Sequence, residues 1–170
     1  MNPSGSAVAG MGVSPSSAAF YCVADARYFL GAVAVVNSLR LHGHTEPVFL
    51  LDAGLTPEQR STVAGEVELV SPDRGAPPWL LKTIAPSRHP ADAMILIDAD
   101  VIVTRRLDEL FRRAAEGRIA AFRNNVDRFV PEWGDLLDLG PVRRDPYLCS
   151  AVVALGRDPG DEVLELMESR

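Results

Sequence analysis

Lysine is nearly absent from this chain: 16 of its 17 basic residues are arginine, and the one lysine is Lys82. Basic residues are also outnumbered by 23 acidic ones, for a formal charge of -6. A general nucleic-acid binder is thereby excluded, since phosphate backbones reward a concentrated positive surface. No apolar run approaches the ~20 residues that a bilayer-spanning helix needs. Cysteine is scarce too. Cys22 and Cys149 both lie in apolar runs, where a free thiol behaves as a small hydrophobe, so two free thiols and a reducing, cytoplasmic setting are expected rather than a disulfide. The only Gly-x-Gly, Gly10-Met11-Gly12, follows no strand and makes no dinucleotide loop. A P-loop and a Gly-x-Ser-x-Gly elbow are also missing. His42-Gly43-His44 has no third ligand nearby, which makes it a poor chelator.

What remains is enough for one globular domain: 170 residues, 47% hydrophobic and 24% charged. The Ser-, Gly- and Ala-rich segment 1–18 lacks a positive n-region and a long apolar core. It reads as a disordered tail ahead of a single domain over 19–170. Apolar runs predict strands at 19–24, 48–51, 67–70, 119–122 and 147–155. Helical spacing predicts helices over 28–41, 107–116 and 161–168, and Thr56-Pro57-Glu58-Gln59 has the form of a capping box opening a helix to about 65. Three prolines and a glycine make 71–78 a loop, followed by a short helix at 79–85. The polar segment 123–145 carries mixed signals and is left unassigned. Strands alternating with helices predict an α/β fold, a mainly parallel central sheet with helices on both faces.

Its centre is 94–103, Met94-Ile95-Leu96-Ile97-Asp98-Ala99-Asp100-Val101-Ile102-Val103, where two carboxylates interrupt an apolar run. On a strand continuing through the pair, Asp98 and Asp100 would share a face. Burying two ionised carboxylates without a partner is costly, so a cation is expected there, and hard ions such as Mg2+ or Mn2+ prefer carboxylate oxygen while keeping positions open for phosphates. The competing reading ends the strand at 97, turns at Asp98 and leaves both groups solvated. The apolar run resumes at once with Val101-Ile102-Val103, which favours the ligand reading. Ligands of parallel sheets bind beyond the carboxyl ends of the strands. Asp25, after the first strand, and Asp98 to Asp100, after the fourth, would face that one edge.

Three further stretches join this one. Leu81-Lys82-Thr83 precedes it, Leu107-Asp108-Glu109-Leu110-Phe111 follows it, and Val23-Ala24-Asp25-Ala26-Arg27-Tyr28 with Val36-Asn37-Ser38-Leu39 opens the chain. Together they resemble glycogenin and its bacterial relatives in glycosyltransferase family eight, over about 19–155. The resemblance implies a GT-A nucleotide-sugar fold, a UDP-sugar donor and Mn2+ (or Mg2+). It places the metal on Asp98 and Asp100, the second as direct ligand and the first also approaching the ribose. Asp25 matches the acceptor of the uracil N–H, against a competing reading as a solvated strand-end residue. Lys82 matches a cation that reaches the donor phosphate or sugar, against a reading as a snorkelling surface lysine. Arg27, Tyr28, Ala99, Cys149 and Ser150 fall at the remaining donor-binding positions.

Departures are specific. Cys149-Ser150-Ala151 stands where relatives read Asn-Ser-Gly, and Arg27 replaces an asparagine. The chain is expected to end before the region in which relatives supply a histidine ligand and the acceptor-side groups. The leading expectation is a metal-dependent hexosyltransferase, with retention implied by the resemblance and no catalytic nucleophile assigned. Its acceptor is undefined: a glycan, a lipid-linked molecule, a protein or a small molecule. One alternative is a non-catalytic or partner-dependent nucleotide-sugar-binding domain. A lower one is a Mg2+ phosphohydrolase of the haloacid dehalogenase type, although that family opens its domain with the aspartate pair. A homo-oligomer is compatible with all three.

Overall fold

The computed structural model describes residues 17–73, 75–76, 80–124, 132–136 and 148–169. Strand β1 (Ala18–Ala24) lies in the middle of the sheet, and its side chains alternate as the pleat requires. Phe20, Cys22 and Ala24 enter the core on one face, while Ala19 and Tyr21 enter the other. Strands β2 (Val48–Asp52), β3 (Glu68–Val70) and β4 (Ala93–Ile97) run parallel to β1, pairing as β3-β2-β1-β4. Beyond β4 come β6 (Leu148–Gly156) and then β5 (Ala120–Arg123), giving the order β3-β2-β1-β4-β6-β5. The expected mainly parallel sheet is therefore present, with β6 antiparallel to both its neighbours.

Helices cover both faces. On one side α1 (Phe29–Leu41) brings in Phe29, Val35 and Leu39, and α2 (Pro57–Val63) brings in Val63. On the other side α3 (Leu81–Arg88) contributes Ile84 and Ala85. Helix α4 (Asp108–Ala115) joins the first layer through Phe111 and Ala114. Between β5 and β6 lies the short α5 (Glu132–Leu136), and α6 (Arg157–Glu168) completes the second layer through Leu164. Fully burying a side chain such as Phe20 is worth about 1.5–3 kcal/mol, and both layers are continuous along the sheet. The capping box forms as expected: Gln59 N–H donates to Thr56 Oγ1 at 3.3 Å and Thr56 N–H to Gln59 Oε1 at 2.9 Å.

Four sequence expectations are corrected. The central strand does not run through the aspartates but stops at Ile97. One more sheet bond, Asp98 N–H to Ala151 O at 2.8 Å, is followed by a turn closed by Val101 N–H to Asp98 O at 3.3 Å. Val103 is buried for a different reason: its N–H donates to Ser38 Oγ at 3.0 Å, so the segment lies against α1 instead of in the sheet. Second, α3 spans Leu81–Arg88 and carries Pro86 inside, where a stop at 85 is expected. Pro86 is buried with Thr83, Ile84 and Ala85, and that packing outweighs the backbone bond that proline lacks. Third, α6 starts at Arg157, with Pro159 tolerated in its first turn. Fourth, the fold begins before 19. Ser17 N–H reaches Asp92 Oδ2 at 2.8 Å and β1 opens at Ala18, while the rest of the expected tail, 1–16, lies outside the described residues, as do Tyr147 and most of 123–145.

Candidate donor site at the strand ends

β1 and β4 are adjacent and parallel, yet the chain leaves β1 toward β2 on one side and the sheet continues from β4 toward β6 on the other. A crevice beyond the carboxyl ends of two such strands is where open α/β sheets take ligands. Here it is a cleft of about 280 Å³ whose walls include Val23, Tyr28, Leu81, Lys82 and the Asp98-Ala99-Asp100 turn.

The turn is shaped by α1. A Cβ on Gly31 would come within 2.0 Å of the Ala99 carbonyl oxygen, so only glycine lets the helix pass this close. Ala99 is buried by that contact, Asp98 is partly covered and Asp100 is exposed. The two carboxylates thus share a turn at the cleft mouth. Lys82, on the first turn of α3, forms an ion pair with Asp98 Oδ1 and donates to the Ser150 carbonyl at 3.2 Å. Because β6 is antiparallel, its start lies at this edge, which is how Ser150 meets Lys82. Neither bland reading holds entirely: the turn exists, but Asp98 is paired rather than simply solvated, and Lys82 is not a free surface lysine.

Other expected residues stand further off. Asp25 follows β1, where its Oδ1 accepts the N–H groups of Arg27 at 2.8 Å and Tyr28 at 3.0 Å, holding the turn that opens α1. Its Oδ2 makes no hydrogen bond among the described residues. Arg27 is exposed and does not line the cleft, whereas the Tyr28 ring, 57% exposed, does. Cys149 is half-buried on β6 opposite Phe122, and both cysteines are free. Burial pushes the Cys22 thiol up to about 12, with a backbone hydrogen bond at Val23 and the Lys82 charge opposing and the Asp98 and Asp100 charges adding to the rise.

His44 is claimed by the core. It is 1% exposed, with its ring 5.1 Å from Phe20. Its Nε2 must accept the Leu107 N–H at 2.9 Å, which leaves Nδ1–H to donate to Glu46 Oε2 at 3.0 Å. Both nitrogens are taken. Among the described residues no group of three His, Cys, Asp or Glu converges on a point.

Sequence reasoning gave no role to Gly31, or to Val23 and Ser38 within the stretches it singled out. Ser38, a hydroxyl on an otherwise apolar helix stripe between Val35 and Leu39, was a readable signal, since buried polar groups need partners. Gly31 within a helix was another. Two larger grooves, about 360 and 560 Å³, lie along α3 and α6.

No protein-family model matches the chain, and no curated protein does. Solved structures do match in fold. The chain is similar to the galactosyltransferase LgtC in complex with donor and acceptor sugar analogs (TM-score 0.65, 16% identity, 89% of this chain and 65% of that one). It is also similar to the bifunctional glycosyltransferase WbbM (TM-score 0.64, 16% identity, 99% and 35%). A third is glucosyl-3-phosphoglycerate synthase from Mycobacterium tuberculosis with Mn2+, UDP and glucosyl-3-phosphoglycerate (TM-score 0.59, 19% identity, 84% and 57%). The chain spans between about a third and two thirds of the length of these proteins. At such identities the likeness is one of architecture: this sheet, with its cleft between β1 and β4, has the GT-A fold of glycosyltransferases.

Proposed function

We propose that this chain is the donor-binding part of a glycosyltransferase that takes a hexose from a UDP-sugar, in the manner of glycosyltransferase family eight and with retention. The observation that carries this reading is the Asp98-Ala99-Asp100 turn facing Lys82 in the crevice between β1 and β4. Among the described residues that line the cleft there are two carboxylates and no imidazole or thiol, a hard, oxygen-only donor set. It fits Mn2+ or Mg2+, which bind through one or two carboxylates and complete their shell with water and substrate phosphate. Asp98 and Asp100 would hold the ion, and a bound ion would supply charge stabilisation for the departing diphosphate.

Each protein group has a matching task. Lys82 lies where its ammonium can answer a diphosphate. Tyr28 offers an exposed ring face to a flat base, and Asp25 Oδ2, which makes no hydrogen bond among the described residues, is an acceptor of the type a uracil N–H requires. Val23 and Leu81 give the cleft an apolar wall against water. The acceptor remains open between glycan, lipid-linked, protein and small-molecule classes. A phosphohydrolase is not favoured, because the aspartates sit after the fourth strand of a GT-A sheet.

The test is calorimetric titration of UDP with and without Mn2+. Mn2+-dependent binding is expected. Asp100→Asn should weaken it by roughly 100-fold or more, since even outer partners of a metal cost about 10–100-fold, while the thermal melt stays unchanged because Asp100 is exposed. Equal UDP affinity in the variant would sink the metal assignment.

A further inference from the structure

We propose that Lys82 is a resident counter-cation that occupies Asp98 until the donor arrives, so that metal and nucleotide load together instead of one at a time. The inference rests on the donor-site reading above and adds how that site is controlled. Its first support is geometric: the Lys82 ammonium pairs with Asp98 Oδ1 and is steadied by the Ser150 carbonyl at 3.2 Å, so it stands on a carboxylate assigned to the metal. A divalent cation and an ammonium cannot both sit against one carboxylate oxygen without strong like-charge repulsion. Lys82 must yield Asp98, and it needs another anion to go to. A nucleoside diphosphate is that anion.

The residue type is the second support. Every other basic position in the chain is arginine. Arginine is a rigid planar fork that grips a carboxylate in two places, whereas lysine is a point charge on a flexible four-carbon stem. Lysine is the side chain that can release one oxygen and swing to another. Its own side chain is 36% exposed and that of Asp98 29%, so there is room to move and little packing to break.

Three states follow. Metal alone would strand the ammonium, and diphosphate alone would bring phosphate charge against Asp98 and Asp100. With both present every charge is answered. Lys82 therefore adds to the positive coupling between the two ligands, and by linkage each raises the other's affinity by the same factor.

The experiment is titration of Mn2+ alone into the nucleotide-free chain, with free Mn2+ followed by electron paramagnetic resonance, then repeated at saturating UDP. Lys82→Met is expected to bind Mn2+ alone roughly fivefold or more tighter than wild type, within the usual span of coupling factors, and to show a smaller gain from UDP. Lys82→Arg should not show that tightening. Adding Asp98→Asn to Lys82→Met should abolish it, and a thermal melt of each variant checks folding. If Lys82→Met binds Mn2+ alone no tighter than wild type while wild type takes Mn2+ with UDP, the inference is overturned and the donor site stands. If wild type takes no Mn2+ even with UDP, the donor-site reading itself fails and carries the inference with it.

Discussion

Asp52 shows how a single carboxylate can resemble a site residue and be structural. It ends β2 at the same edge as Asp25 and Asp98, but its Oδ1 accepts Gly54 N–H at 3.0 Å and Leu55 N–H at 2.7 Å, and its Oδ2 pairs with Arg60. Burial alone would raise its pKa; the Arg60 and backbone donors outweigh that and hold it below the ordinary value of 3.8. A depressed folded-state value means stability that is present above pH 3.8 and lost as pH falls through the folded value. Asp52→Asn should therefore lower urea-unfolding stability by about 1 kcal/mol at neutral pH, and the gap to wild type should close in acid. A gap that persists in acid would assign the loss to packing. At this scale the sequence was informative about chemistry and poor about partners. Asp98 and Asp100 were legible because charge stood out against an apolar run, and Lys82 because it is the one lysine and falls in a stretch that carries the resemblance. The roles of Asp52 and His44 were not, since Arg60 and Leu107 reach them only through the fold.

Elements were legible where one local signal sufficed. The capping box at Thr56 and the apolar runs of β1 and β2 needed no tertiary context, and they appear within a residue or two of their expected bounds. The 94–103 run misled because burial has two sources. Met94 to Ile97 is buried by sheet neighbours, whereas Val103 is buried by α1, and an apolar pattern cannot distinguish them. The contact that separates them is Gly31 under the Ala99 carbonyl. Gly31→Ala makes the prediction of this scale. In an exposed helix the change would gain about 1 kcal/mol, but here the new Cβ must push α1 and the aspartate turn apart. We expect a lower melting temperature and loss of Mn2+-dependent UDP binding together. A stabilised variant with unaltered binding would show that the turn does not depend on α1.

At the scale of the molecule, the sheet order explains why one crevice gathers residues from four distant stretches. Parallel β1 and β4 deliver Asp25 and Asp98 to one edge, α1 leads back from that edge beneath the turn, and antiparallel β6 brings Ser150 to it. The direction of β6 was unreadable in advance, because an apolar strand looks the same in either sense and the connection before it is long and polar. The same order ranks local stability. β1 and β4 are paired on both sides and covered on both faces, whereas β3 is a three-residue edge strand, and β5 is an edge strand with an irregular register and an exposed Phe122. Edge strands open at lower free energy than paired central ones. Amide hydrogen exchange should therefore be slowest in β1 and β4 and fastest in β3 and β5. Adding UDP with Mn2+ should slow exchange at 26–28 and 98–101, next to the cleft, and leave α6 on the far side unchanged. Slowing at α6 with no change at 98–101 would move the ligand to the groove along α3 and α6, because protection follows the surface a ligand covers.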